Sequence, residues 1–200
     1  MLFDIKLKDS NSTPLDGGQR GKIHPHKFTL WVAIGSIVMM FAGLTSAYIV
    51  KSGQVGWHGV RTPNIFWISS LLMLTSSVTI QAALRSFKQR GMTAFRSLML
   101  ATLVLGVAFV ILQVIGFRIM WDSGVHFEGS SGAGQFLYVV FGLHAIHVVG
   151  GVVALIVLII RQYFGNIRNY NAIPIELMSI YWHFVDILWI YLFVFFIWIG

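Results

Sequence analysis

Four ionisable side chains lie near the middle of the last two apolar runs of this chain. His144 and His147 belong to the stretch GLHAIHVVGG, and His183 and Asp186 belong to YWHFVD. The members of each pair are three residues apart, so on a helix they share one face. A carboxylate at the centre of a bilayer costs about 2.5–3.5 kcal/mol on insertion scales, and such groups face the bundle interior and pair with one another. We therefore predict that the two runs pack together, with both earlier histidines facing the later His–Asp pair.

Three kinds of chemistry suit this set of side chains. Three histidines and a carboxylate can hold a first-row metal ion. Histidines and acids inside membranes also relay protons. The third hypothesis is a structural polar cluster, in which Gly142, Ala145 and Gly150 permit close helix packing. In that cluster the acid supplies hydrogen-bond acceptors for the NH and OH groups of the surrounding Trp182, Trp189 and Tyr181. The spacing alone leaves all three hypotheses open.

The elements that position these residues are predicted to be membrane helices. The chain is 56% hydrophobic and only 10% charged, whereas a soluble domain is about 25% charged. A span needs about 20 apolar residues, and five stretches qualify: 28–50, 65–87, 95–120, 135–160 and 175–200. We therefore predict an all-α bundle of five transmembrane helices over 28–200, preceded by a polar cytoplasmic tail over 1–27. The connections are short, which predicts that consecutive helices are antiparallel neighbours.

Polar residues outside the central group have simpler predicted roles. Ser76, Ser77, Thr79 and Gln81 in the second span are expected to form hydrogen bonds between helices, and Gln113 in the third is expected to serve packing. The connection 121–134 carries Asp122, His126 and Glu128 and is predicted to be a surface loop. The chain has no cysteine, which excludes disulfides and thiolate metal sites.

The Lys and Arg residues predict the orientation of the bundle. Eleven of the fourteen lie in the tail or in the second and fourth connections, against three on the opposite side. Positive charge marks the cytoplasmic side, so we predict a cytoplasmic N-terminus and an external C-terminus. The net charge of +7 comes from Lys and Arg residues that lie between the apolar runs. A nucleic-acid-binding protein would instead carry them clustered on a folded surface. Arg85, Lys88, Arg90 and Arg96 form a basic hairpin that is suited to anionic lipid headgroups, although a topology signal explains it equally well.

The last two spans resemble subunit III of the haem–copper terminal oxidases, in the five-helix bacterial form. The family pattern is G-x-H-x-x-H-V-x-x-G followed by Y-W-H-F-V-D-x-x-W-x-x-L-F. Every fixed position is present, from Gly142 to Gly151 and from Tyr181 to Phe193. Weaker similarity runs through the first three spans, so the resemblance covers the chain after about residue 28.

The resemblance implies a non-catalytic subunit of a proton-translocating, oxygen-reducing oxidase of the cytochrome c oxidase type, in a bacterial plasma (inner) membrane. It implies that haem and copper belong to partner subunits, that subunit I is the main contact with subunit II also in the complex, and that phospholipid binds between the helices. The subunit would support proton uptake and the durability of the oxygen-reducing site. It also implies no catalytic, cofactor or metal residues in this chain, so the polar cluster is structural: His144, His147, His183, Asp186 and Trp182. We then expect Asp186→Leu to impair the assembly or stability of the complex more than the chemistry of oxygen reduction.

Two positions depart from the family pattern. Ile37 and Gly116 stand where many members carry a membrane-embedded acid, so a role of those carboxylates in proton uptake does not transfer to this chain. Two other functions stay open on the sequence. One is an accessory subunit of a nitric oxide reductase, and the other is an independent transporter or metal-dependent membrane protein that uses the His/Asp cluster.

Overall fold

The computed structural model describes residues 25–53, 63–124, 132–164 and 172–199. Within these ranges the chain forms five helices: α1 (Pro25–Ser52), α2 (Ile65–Lys88), α3 (Met92–Asp122), α4 (Gly132–Phe164) and α5 (Ile173–Ile199). All five are long and apolar enough to cross a membrane, which confirms the predicted all-α fold of five membrane helices. The orientation of the termini stays a prediction. α1 begins inside the predicted tail, at a proline, a residue whose fixed φ suits the first helical position. Tail residues 1–24 and the loop residues His126 and Glu128 lie outside the described residues.

Helices α2 to α5 form a ring, and α1 packs on its outside. α2 packs against α3, α3 against α4, and α5 closes the ring by contacting both α4 and α2. α1 contacts only α4 and α5 among the described residues. The prediction that all consecutive helices are neighbours is therefore wrong for α1 and α2. The reason is the length of their connection, which is long enough for α2 to begin away from α1, unlike the tight turn between α2 and α3.

The turn between α2 and α3 is set by a helix-ending hydrogen-bond motif. The Gly91 N–H donates to the Ser86 carbonyl at 2.9 Å and the Arg90 N–H donates to the Phe87 carbonyl at 3.0 Å. These two bonds are those of a Schellman motif, which requires a left-handed residue just past the helix. Arg90 takes that position with φ 62°. The chain reverses within three residues, so α2 and α3 pack side by side as an antiparallel pair.

α5 is the most enclosed helix and α1 the least. In the most apolar window of each helix, 44% of the residues of α5 are buried inside the chain, against 17% for α1. The buried residues of α1 are few and are spaced by seven, four and three positions: Ile34, Phe41, Thr45 and Tyr48. This spacing is one narrow stripe on a helix. The rest of α1 is free to face lipid or another protein.

Two glycines of α3 make room for rings from other helices. A Cβ atom added at Gly106 would lie 2.8 Å from the Trp182 ring, and one added at Gly116 would lie 2.7 Å from the Phe66 ring. Trp182 thus reaches across the centre of the ring of helices from α5 to α3. Gly116 is one of the two positions where the resemblance led us to expect an acid, and the Phe66 ring occupies the space next to it. At the other position, Ile37 packs against the apolar core.

Candidate functional site

One face of α5 carries a row of polar side chains that bond to α2. The outermost members, Ser179 and Trp189, are ten residues apart, so the row follows α5 over nearly three turns. The α5 residues are Ser179, Trp182, His183 and Trp189, and their α2 partners are Gln81, Ser76, Ser77 and Ser70. The two tryptophans donate their indole N–H groups to serine hydroxyls, at 3.0 Å for Trp182–Ser76 and 2.9 Å for Trp189–Ser70. We call this contact the α2–α5 polar interface.

His183 is bonded at both of its ring nitrogens. Its Nδ1 lies 2.5 Å from the Ser77 hydroxyl and its Nε2 lies 3.2 Å from the Gln81 side-chain carbonyl oxygen. A carbonyl oxygen only accepts hydrogen bonds, so Nε2 carries the hydrogen and Nδ1 accepts from the serine. The ring is therefore fixed in one orientation and one tautomer.

His144 lies in a different environment, on the face of α4 that meets α5. It is fully buried, and both of its ring nitrogens lack a hydrogen-bond partner. Its ring centroid lies 5.2 Å from that of Trp189, 6.2 Å from that of Phe109 and 6.5 Å from that of Phe41. His144 is thus held by an aromatic cage and not by polar contacts.

His147 is held by the backbone of its own helix. Its Nδ1 lies 2.7 Å from the Leu143 carbonyl oxygen, which can only accept, so Nδ1 is the donor. The Tyr181 hydroxyl donates to the His147 carbonyl at 2.9 Å, a hydrogen bond that joins α5 to α4. Contact between α4 and α5 was predicted and is present, but the imidazole of His147 does not make it.

Asp186 lies on the α2-facing side of α5, between the levels of Trp182 and Trp189. The residue is only 2% exposed, and neither carboxylate oxygen has a hydrogen-bond partner. The Ser77 hydroxyl lies within electrostatic reach of the carboxylate, but it is engaged with His183. Asp186 is therefore a polar side chain without a partner inside an interface where its neighbours are bonded.

The predicted face-to-face pairing of the four ionisable residues is absent. His183 and Asp186 face α2, whose serines and glutamine supply polar partners, whereas α4 meets α5 with aromatic and small side chains. The tryptophan beside the acid also bonds to a serine and not to the carboxylate. The described residues contain no group of three His, Asp or Glu side chains that could hold a metal ion, so the metal hypothesis gains no support from the packing.

The predicted close approach beside the histidines of α4 occurs at a neighbouring residue. At Gly142 and Gly150, no atom beyond the adjacent backbone of the same helix lies within 4 Å of where a Cβ atom would stand. A Cβ atom added at Gly151 would lie 3.1 Å from the Tyr181 ring and 3.3 Å from the Trp182 ring. The small residue that lets the α5 aromatics approach α4 is therefore Gly151.

The interhelical hydrogen bonds predicted for the polar residues of α2 are confirmed. Ser76, Ser77 and Gln81 bond to α5, as described above, and the Thr79 hydroxyl lies 2.8 Å from that of Thr102 on α3. The Gln113 side-chain amide donates to Ser69 at 3.3 Å. Hydroxyl and amide groups of α2 thus connect this helix to both of its neighbours in the ring.

An ion-pair cluster that the sequence analysis missed joins three helices at one end of the bundle. The Glu176 carboxylate lies 2.9 Å from the Lys27 Nζ and 3.0 Å from the Lys88 Nζ. These residues come from the first turns of α5 and α1 and from the last residue of α2. Glu176 is the acidic residue of the first turn of α5, and that position was the available signal, but the sequence does not identify its partners.

The four residues of the basic hairpin lie at this same end of the bundle. Arg85, Lys88 and Arg90 are exposed and Arg96 is half-buried. Lys88 takes part in the ion pair with Glu176, so it has a structural partner in addition to any lipid. Contact of these residues with lipid headgroups stays a prediction.

Comparison with known proteins identifies the family. The family model described as "Cytochrome c oxidase subunit III" matches residues 26–200. The chain belongs to the cytochrome c oxidase subunit III family. The match covers all five helices apart from the first residue of α1. The family assignment therefore applies to the whole helix bundle of this subunit III.

Several curated relatives are similar over most of their length. A probable cytochrome c oxidase subunit 3 of Mycobacterium tuberculosis is 30% identical over 183 residues, which are 86% of this chain and 90% of the relative. A cytochrome c oxidase subunit 3 of Bacillus sp. is 29% identical, covering 82% of this chain and 80% of the relative. A probable quinol oxidase subunit 3 of Staphylococcus epidermidis is 27% identical, covering 84% and 86%.

The family and the helices together define the kind of protein. The chain is an accessory, multi-pass membrane subunit of a respiratory oxidase, which agrees with the resemblance seen in the sequence. The oxygen chemistry of such an enzyme belongs to the multi-subunit complex as a whole. The α2–α5 polar interface and the aromatic cage of His144 are therefore interpreted as features of an accessory subunit.

Proposed function

We propose that this subunit III packs on the catalytic subunit I of a bacterial haem–copper oxidase of the cytochrome c oxidase type, beside subunit II, in the plasma membrane. In that complex it stabilises the oxygen-reducing site and supports proton uptake, while haem and copper stay in the partner subunits. The observation that carries the proposal is the family match over residues 26–200.

The surface of α1 supports the part of the proposal that concerns a partner subunit. α1 packs outside the ring of helices, and its outward side bears large apolar residues such as Trp31 and Met39, which are 60% and 75% exposed. In a membrane such a surface contacts lipid or another helix. Because α1 contributes little to the ring itself, the chain can present this helix to a neighbouring subunit without losing its own core.

We also propose that phospholipid binds along the boundary of α1 and α5. An apolar groove of about 360 Å³ lies there, bordered by Phe41 and Ala42 of α1 and by Phe184, Ile187 and Tyr191 of α5. Its lining suits an acyl chain. The basic hairpin residues Arg85, Lys88, Arg90 and Arg96 supply positive charge for anionic headgroups at the predicted cytoplasmic side.

A bulky residue in the groove tests lipid binding. Ala42→Trp fills the space between α1 and α5, and we expect the purified complex to retain less tightly bound phospholipid, measured by mass spectrometry of extracted lipid. Ala47→Trp, which places the same ring on an exposed part of α1 outside the groove, is the matched control. Equal lipid content in the two variants would show that the groove is not the binding site.

Affinity purification of a tagged chain in mild detergent tests the proposed complex. We expect haem-bearing subunits to co-purify, with a reduced-minus-oxidised haem spectrum and oxygen uptake driven by cytochrome c. Oxygen uptake driven by quinol would change the proposed electron donor, but the chain would still be a subunit of an oxidase. A haem-free eluate, or a haem enzyme that reduces nitric oxide and not oxygen, would overturn the proposal.

A further inference from the structure

A polar cleft opens between α2 and α5 and extends to the middle of the bundle. Its volume is about 540 Å³, and its polar lining consists of Ser77, Gln81, Arg85, Ser86, Gln89 and His183. From Gln89 to Ser77 the cleft follows roughly twelve residues of α2, about 18 Å of helix. A water molecule in the liquid occupies about 30 Å³, so the cleft has room for a column of waters from the end of the bundle to mid-span.

Asp186 lies just beyond the inner end of this cleft. Ser77 and His183 line that end, and the Ser77 hydroxyl lies within electrostatic reach of the Asp186 carboxylate. Both carboxylate oxygens are without a hydrogen-bond partner, and the residue is 2% exposed. A buried polar group without a partner calls for an explanation, and here burial keeps side chains of other subunits away. Water and protons are the species small enough to reach it.

Hydrogen bonds connect the wall of the cleft to Ser77, the residue next to the acid. His183 Nε2 donates to Gln81 at the wall of the cleft, and His183 Nδ1 accepts from the Ser77 hydroxyl. The Ser77 oxygen keeps a lone pair that can accept from a protonated Asp186. Imidazole is suited to this position because it can release a proton from one nitrogen while it gains one at the other.

We propose that Asp186 is a proton-binding site that exchanges with water in the α2–α5 cleft through Ser77 and His183. Outward transfer breaks the Asp186 O–H bond and forms an O–H bond on Ser77. The original Ser77 hydrogen moves to His183 Nδ1, and the His183 Nε2 hydrogen passes to a cleft water. The carboxylate is left ionised and His183 is left in its other tautomer. Inward transfer is the reverse, so atoms and charge balance in both directions.

Other titratable groups near α5 are placed differently. Among the described residues, Arg85 of α2 lines the cleft with His183, the His144 ring of α4 lies against Trp189, and the Tyr48 ring of α1 packs on Phe196. The His147 ring of α4 bonds to its own helix. Lys27 and Lys88 meet α5 only at Glu176. None of these groups is a carboxylate that could replace Asp186. Arg85 lies at the wall of the cleft, and its positive charge hinders the entry of metal cations more than that of a proton carried by water. A lipid headgroup at Arg85 is the competing occupant of the cleft.

The inference deepens the proton-uptake part of the proposed function and rests on it, but its test does not use enzyme turnover. The test is infrared difference spectroscopy of the purified complex as the pH is changed, in H₂O and after transfer to D₂O. We expect a protonated-carboxyl band that is absent in Asp186→Asn and that shifts as deuterium exchanges. If the Asn variant does not assemble, Asp186→Glu takes its place. This variant keeps a carboxyl group but should shift the frequency of its infrared band.

Two serine variants test the route. Ser77→Ala interrupts the chain and should slow deuterium exchange of the band by roughly 100-fold, the lower end of what a positioned proton-transfer group contributes. Ser70→Ala is the matched control, because Ser70 is also half-buried on α2 but bonds to Trp189 outside the cleft. The control should exchange at the wild-type rate.

The outcomes separate the inference from the proposed function. A spectrum with no carboxyl band that responds to Asp186, or equal exchange rates in the two serine variants, overturns the inference. A band that does not exchange because phospholipid fills the cleft, found by lipid analysis of the same sample, also overturns it. In each case a haem spectrum in that sample would leave the oxidase-subunit proposal standing.

Discussion

His183 and His144 both lie deep in the helix bundle, but they are held in opposite ways. His183 has a hydrogen-bond partner at each ring nitrogen, whereas His144 has none and is surrounded by Phe41, Phe109 and Trp189. The difference comes from the neighbouring helix, because α2 offers hydroxyl and amide groups while the bundle around His144 offers rings. The same residue type therefore contributes polar specificity at one interface and shape at the other.

This contrast also describes the two sides of α5. Helices in a membrane gain no hydrophobic energy from meeting each other, so they associate through close packing and hydrogen bonds. Toward α2, α5 uses hydrogen bonds from Ser179, Trp182, His183 and Trp189 that fix its rotation. Toward α4, it uses aromatic packing, with the Tyr181 bond to the His147 carbonyl. Trp189 belongs to both sides, since it bonds to Ser70 and also contacts the His144 ring.

The largest expected effect is the loss of the residue that serves both sides. Trp189→Ala removes a fully buried ring and should lower the stability of the subunit by about 3–5 kcal/mol, as large-to-small core substitutions do. Thermal denaturation of the detergent-solubilised complex would measure the loss. Trp198→Ala is the matched control, because Trp198 is 86% exposed and should cost little. Similar denaturation temperatures for both variants would mean that Trp189 does not hold the bundle together.

A matched pair of histidine substitutions tests the contrast itself. His183→Leu strands Ser77 and Gln81 and should cost about 1–3 kcal/mol. His144→Leu removes no hydrogen bond and keeps an apolar side chain in an aromatic cage, so it should cost less than about 1.5 kcal/mol. The thermal denaturation of the two variant complexes gives the order. If His144→Leu proved the more damaging variant, the polar interface would be secondary to the cage.

The smallest expected effect is the coupling energy of one hydrogen bond in the polar interface. A double-mutant cycle of Ser76→Ala and Trp182→Phe isolates the contact between the indole and the hydroxyl. We expect about 0.6 kcal/mol, the average found for hydrogen bonds between membrane helices. Ser97→Ala with Trp182→Phe is the control cycle, because Ser97 is exposed and bonds to its own helix. Indistinguishable coupling in the two cycles would argue against the Ser76–Trp182 bond.

The expectation that Asp186→Leu impairs assembly needs revision in view of this contrast. It depended on the acid being an acceptor for His144, His147 or Trp182, and the carboxylate has no hydrogen-bond partner. Replacing an unpaired buried polar group with an apolar one can be neutral or stabilising. The proton exchange proposed above then gives the Asp186 carboxyl group a role that assembly does not.

The sequence predicts the helices well because crossing a bilayer demands length and apolar composition, which are local properties. All five spans, and the role of Ser76, Ser77 and Gln81 as bonds between helices, follow from that demand. The rotation of α5 does not follow from it, because helices α2 and α4 both flank α5 and only their three-dimensional packing decides which one His183 and Asp186 face. The absence of an α1–α2 contact and the Phe66 ring against Gly116 are likewise products of packing between distant segments.

Oxygen uptake per haem, recorded from the first seconds of turnover in complexes purified with and without this chain, tests the central claim most directly. If the chain is an accessory subunit, both complexes should show the same haem spectrum and similar initial rates, and the complex that lacks the chain should lose activity sooner. Loss of the haem signal, or no oxygen uptake from the first turnover without the chain, would contradict the account and assign the chain a direct part in the chemistry.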